Sequence, residues 1–167
     1  MPFPVGTVLK YKNYPFGEDG IQKNYWFIVL GRSSQFDSPI LCYLSKTTTQ
    51  SKYYEVGGKR STNVHKLLTK KQYSFFEQDC YIDFDLPIIS RHSLEEIDKL
   101  VVNNTIEEMG RLDKNLQELY NLAVKGSGLS KKEKDDIHNS FNMDGIEGLK
   151  LPKSRDKAYY KNKYQKK

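Results

Sequence analysis

The chain has 167 residues, 37% hydrophobic, 13% aromatic and 29% charged, with a formal net charge of +6. That is room for one domain with a core, or a small domain with an appendage, and it excludes a disordered or fibrous chain. No apolar run approaches the ~20 residues of a membrane span, and residues 1–12 lack the apolar core of a signal peptide, so a cytoplasmic protein without membrane partners is expected. The basic balance points to an anionic partner, with nucleic acid the commonest kind.

Residues 5–11, which follow Pro2 and Pro4, alternate weakly and predict the first strand. Pro15, Gly17, Asp19 and Gly20 then mark a loop over 13–22. It is longer than the usual hairpin connection, and such loops often carry function. Residues 26–30 and 40–44 are each of strand length and rich in β-branched and aromatic side chains. If they pair as antiparallel neighbours, the Lys23 end of one lies beside the Thr47-Thr48-Thr49 end of the other. A cationic, hydroxyl-lined shelf at one edge of a small sheet would result.

Tyr53 and Tyr54 precede a turn at Gly57-Gly58, followed by Lys59-Arg60. Residues 64–68 read as a short strand or a turn, and 73–76 and 81–84 as strands. Tyr81, Asp83 and Asp85 alternate with Ile82, Phe84 and Leu86, which puts the two aspartates on one side, toward solvent. Pro87 limits that strand, and Ile88-Ile89 forms a last short edge strand.

From Ser93 the pattern becomes helical. Ser93 and Glu96 fit a capping box that opens a helix to about residue 102. A longer helix is predicted from Thr105, with Met109, Leu112, Leu116, Leu119 and Ala123 along one face and Gly126 at its end. Ser130 and Glu133 form a second capping box, opening a third helix to about residue 141. Strands first and helices after is the α+β pattern. Three segments are expected: a small, strongly bent barrel over 1–91, a helical part over 92–148 that packs on it, and a basic tail over 149–167. The tail interleaves Tyr159, Tyr160 and Tyr164 with lysines. It reads as a solvated segment or as an arm whose tyrosines stack on bases.

The two cysteines, Cys42 and Cys80, fall inside predicted strands and read as buried small hydrophobes. His65, His92 and His138 are scattered and no zinc-type spacing exists, so no metal or cofactor is expected. RNA cleavage without a metal needs a base for the 2′-OH, an acid for the leaving 5′-oxygen, and donors for the charge on the phosphoryl oxygens. Lys23, Thr48, Thr49 and Lys52 fit the stabilising roles, and Tyr25, Lys52 and His65 are candidate proton carriers. Lys46, Gln50 and Arg32 join Tyr25 and His65 as candidate RNA contacts. Each has a plainer reading: a lysine flanking a strand, simple β-propensity, a surface histidine, an exposed turn arginine.

Gly6-Thr7-Val8-Leu9, the loop to Gly20, Trp26 to Leu30 and Thr47-Thr48-Thr49 resemble the layout of MazF/PemK-type toxins, small SH3-like barrels that cut single-stranded RNA. Lys23 ahead of its strand, Thr48 and Thr49 with Lys52 behind, and residues 81–89 before a long helix are similar to the ToxN/AbiQ toxins of phage defence. The Arg-Pro pair of MazF-type toxins is replaced here by Tyr25-Trp26, so Lys23 would take the arginine's role as a point charge rather than a bidentate fork. Thr48 is the first match to the family hydroxyl and Thr49 the second. The resemblance implies an SH3-like barrel followed by C-terminal helices. It implies a metal-independent endoribonuclease leaving 2′,3′-cyclic phosphate and 5′-hydroxyl ends. It also implies a neutralising antitoxin, protein or RNA. Two other classes stand beside it: a non-catalytic nucleic-acid-binding module, and an interaction protein or homo-oligomer joined through the Met109–Ala123 seam.

Overall fold

The computed structural model describes residues 3–17 and 19–153. Six strands form one antiparallel sheet: β1 (Thr7–Tyr14), β2 (Lys23–Arg32), β3 (Cys42–Thr48), β4 (His65–Leu68), β5 (Cys80–Asp83) and β6 (Ile106–Arg111), in the order β4-β5-β3-β2-β1-β6. Three helices accompany it: α1 (Leu94–Val102), α2 (Leu116–Lys125) and α3 (Lys131–Met143). The fold is therefore α+β, but the sheet is open. Its outer strands β4 and β6 do not pair, so the expected closed barrel is not found among the described residues.

Strand β2 shows how the sheet is covered. Phe27, Ile28, Val29 and Leu30 are all buried, which defeats a period of two. Ile28 and Leu30 join Tyr120, Ile137 and Phe141 of α2 and α3 in one cluster. Phe27 and Val29 join Leu9, Leu44 and Ile97 of α1 in a second. A sheet apolar on both faces is sealed here by helices on both sides.

The predicted pairing of the two central strands is present, with Phe27 opposite Lys46 and Ile28 opposite Ser45. β3 begins and ends later than expected, so Thr47 and Thr48 belong to the strand itself. Both central strands lie inside the sheet, and the shelf is at their end rather than at a sheet edge.

The helix expected from Thr105 is corrected. After α1 the chain turns through Asn103 and Asn104, the latter at φ 65°, and returns as β6 on the free edge of β1. Ile106 pairs with Tyr11, Glu107 with Lys10 and Arg111 with Thr7. The unpaired backbone groups of β1 outweigh the 3–4 spacing of Met109 and Leu112, and helix α2 begins only at Leu116. Gly110 fits this strand because a Cβ there would come within 2.5 Å of the Phe75 ring. Gly110→Ala should destabilise by about 1–3 kcal/mol, read from denaturant midpoints, as overpacking does elsewhere.

Residues 73–76 are a turn rather than a strand, tied by Tyr73 N–H to the Thr69 carbonyl and Phe76 N–H to the Tyr73 carbonyl. Tyr73 and Phe76 are buried and Phe75 half-buried, so the aromatics do not alternate. Asp83 and Asp85 also do not face solvent freely. Asp83 is buried and accepts from the Tyr54 hydroxyl and from Asn63 Nδ2, both at 2.9 Å. Asp85 accepts from the backbone N–H of Val64 and of Ser127, both at 2.8 Å. Partial burial would raise the Asp85 carboxyl, but these donors outweigh it and hold it below the usual range.

The second capping box is complete, with Ser130 Oγ accepting from Glu133 N–H at 3.1 Å and Glu133 Oε1 from Ser130 N–H at 2.8 Å. The first is half made: Ser93 Oγ accepts from Glu96 N–H, while the Glu96 carboxylate sits 3.2 Å from His92 Nδ1. The tail from residue 154 onward lies outside the described residues. Among those described, no helix is long and apolar enough to cross a membrane.

Cys42 and Cys80 are both free and buried, and burial pushes both thiols up to about 12. Neither should react with an aromatic disulfide reagent in the native state. Labelling at neutral pH should proceed only as fast as the surrounding strands open, a rate measurable against added denaturant.

Candidate nucleic-acid interface

Beyond the Phe27–Lys46 pair, β3 leaves β2. Its next residues pair with β5 instead, Thr47 with Ile82 and Thr48 with Tyr81. The end of β2 and the end of β3 therefore diverge, and a recess opens in the fork. Thr47 Oγ1 spans its floor by donating to the Trp26 carbonyl at 3.0 Å. Two hollows of about 290 and 470 Å³ share Lys23, Tyr25, Lys46, Thr47, Thr48 and Gln50 as walls.

The recess thus gathers most of the residues singled out in the sequence. The ammonium groups of Lys23 and Lys46 lie 5.6 and 4.8 Å from the centre of the nearly buried Tyr25 ring. Thr48 Oγ1 accepts from Gln50 N–H at 3.2 Å, leaving the hydroxyl proton to donate outward. Thr49 is exposed at the rim of the smaller hollow. Lys23 also lies 3.3 Å from Asp19. The Ile21 amide, opposed by desolvation and helped by Lys23, holds the Asp19 carboxyl below its usual range.

Three candidates lie elsewhere. Lys52 belongs to a single 3₁₀ turn (Ser51–Tyr53), with its ammonium 5.5 Å from the Tyr53 ring and outside the walls of the recess. His65 lies behind Tyr54, their rings 4.8 Å apart, with Nδ1 2.7 Å from the Asn63 carbonyl. Arg32 sits at the opposite end of β2, 6% exposed, and reaches Asp144 with both terminal nitrogens, at 3.4 and 3.1 Å.

In their place the larger hollow holds Tyr53, Tyr54, Lys59 and Arg60, which sequence reasoning had treated only as a turn and its flanks. The Gly57-Gly58 turn folds the chain back so that Arg60 N–H donates to the Tyr53 carbonyl at 2.8 Å. Lys59 and Arg60 then stand 4.1 and 5.0 Å over the Tyr53 ring. Gly57 supplies φ 84°, and a Cβ at Gly58 would collide with the Lys52 and Tyr53 carbonyls. The signal available beforehand was the order itself: two tyrosines, two glycines, two cations.

Four cationic side chains, Lys23, Lys46, Lys59 and Arg60, therefore face two carboxylates, Asp19 and Asp83, around the larger hollow. Asp83 is occupied by Tyr54 and Asn63. Burial pushes the Tyr54 phenol up to about 12, with Arg60 drawing it back and Asp83 adding to the rise. At neutral pH Tyr54 is a proton donor to Asp83 and not a base. Among the described residues no three His, Cys, Asp or Glu side chains converge as metal ligands do. The arrangement can hold phosphate oxygens with ammonium and hydroxyl donors and offers aromatic rings beside them. Comparisons with protein-family models, with curated proteins and with solved structures find no match.

Proposed function

We propose that this recess binds single-stranded RNA and cleaves it without a metal ion, as a toxin-like endoribonuclease of a toxin–antitoxin or phage-defence system. The observation that carries the reading is the fork between β2 and β3, which turns separate sequence positions into one wall of Lys23, Lys46 and Thr48 around a hollow of about 470 Å³. In this reaction the 2′-hydroxyl gives up its proton to solvent water as its oxygen bonds to phosphorus, the bond to the 5′-oxygen breaks and that oxygen takes up a proton, and the products carry a 2′,3′-cyclic phosphate and a 5′-hydroxyl. Lys23 and Lys46 neutralise the charge that grows on the phosphoryl oxygens, and Thr48 donates to one of them. Tyr25 is the one proton carrier of the three that lines the recess, and in this reading it protonates the leaving oxygen. A neutralising antitoxin would cover the same cations, as RNA or as an acidic protein segment. The open sheet is, in this reading, a splayed relative of an SH3-like barrel.

The test is incubation of the protein with a long single-stranded RNA in excess EDTA, followed by end-group analysis. Discrete cuts ending in cyclic phosphate are expected. A specific observation favours a second reading, binding without cleavage: Tyr54 is held protonated and His65 is turned to the Asn63 carbonyl. RNA that shifts in a gel yet stays intact would replace the first reading with this one. In either case each recess cation removed should flatten the dependence of log affinity on log salt by about 0.7.

A further inference from the structure

A further hollow adjoins the phosphate recess on the side of residues 88–91. It has a volume of about 400 Å³, within the ~300–1,000 Å³ of small-ligand sites. Its walls include Tyr14, Phe16, Tyr25, Lys46, Ser90 and Arg91. Tyr25 and Lys46 belong to both hollows, so anything held here is one wall away from a phosphate on Lys46.

The wall chemistry is specific. Phe16 is 48% exposed, although it sits in an aromatic group with Tyr14 at 5.6 Å and His92 at 5.8 Å. The Arg91 guanidinium lies 4.0 Å over the Phe16 ring and makes no salt bridge among the described residues. Tyr14 and Arg91 line the same hollow; burial raises the Tyr14 phenol and the Arg91 charge draws it back. A half-exposed aromatic face and a planar cation with no carboxylate partner among the described residues, next to a phosphate recess, suit a flat ring with polar edges that is joined to a phosphate. A base inside a duplex could not reach them.

We propose that this hollow is a nucleobase subsite, in which Phe16 and Arg91 hold one unstacked base of the strand whose phosphate lies against Lys46. The proposal rests on the nucleic-acid reading of the recess and adds the position at which a base is read. The four nucleoside 3′-monophosphates and base-free ribose 5-phosphate are the probes, titrated into the full chain and followed by NMR. At least one nucleotide should bind about 5- to 160-fold more tightly than the sugar phosphate, the range of base–aromatic stacking. Phe16→Ala and Arg91→Ala should each reduce that ratio and leave ribose 5-phosphate affinity unchanged, whereas Lys46→Ala should weaken every probe alike. Both changed positions are exposed, and thermal melts should match the parent. A ratio near one in the unaltered protein, with phosphate binding intact, overturns the subsite and leaves the recess. A ratio that survives both variants overturns its location, and no binding by any probe removes the recess and the subsite together.

Discussion

RNA cleavage by a variant with alanine at both Lys23 and Lys46 is expected to fall by at least about a hundredfold, the loss typical of removing preorganised charge stabilisation. The two ammonium groups flank Tyr25 at the mouth of the fork, and no other described cation lines the smaller hollow. Both residues are exposed, so the variant should unfold within about 0.5 kcal/mol of the parent. Initial rates on end-labelled RNA, with a denaturant curve as control, decide the matter. Cleavage at the parent rate by the folded variant would remove this recess as the site of cutting.

The second large effect concerns stability. Arg32→Ala should destabilise the fold by about 3–5 kcal/mol, because it removes a buried guanidinium and strands a largely covered carboxylate. In the Arg32–Asp144 pair the side chains are 7% and 10% exposed, and Asp144 also accepts from Val5 N–H at 2.7 Å. Replacing both partners with apolar residues should recover much of the loss. RNA binding, measured at a temperature where the variant is folded, should be unchanged. A variant that melts like the parent but has lost RNA affinity would return Arg32 to the nucleic-acid surface.

The central pair of strands was legible because its two apolar runs are short, dense and consecutive, and consecutive antiparallel strands fix which ends meet. The meeting of Lys23 with Thr47, Thr48 and Thr49 followed from that alone. Arg32 was not legible, because its partner lies 112 positions away on the helix side of the fold. The second half of the larger hollow was missed for a different reason. Lys59 and Arg60 act through a glycine turn that stacks them on Tyr53, and tertiary folding of an irregular segment leaves no periodicity to read. The segment 105–111 failed by competition. Its 3–4 spacing is real, but a vacant strand edge offered more hydrogen bonds than an isolated helical turn, and Asn103-Asn104 and Gly110 were the unread signs.

The pairing of β1 with β6 also sets a schedule for synthesis. β1 lies between β2 and β6, so one of its edges stays open on the ribosome until residues 106–111 have emerged. The Val5 and Arg32 contacts with Asp144 wait longer still. The fork itself needs only residues 23–83, but the helices that hold its strands in place are translated after it. A nascent chain paused before residue 106 would expose a strand edge to other chains, and the recess would gain its rigid form only once residues 106–143 have been translated.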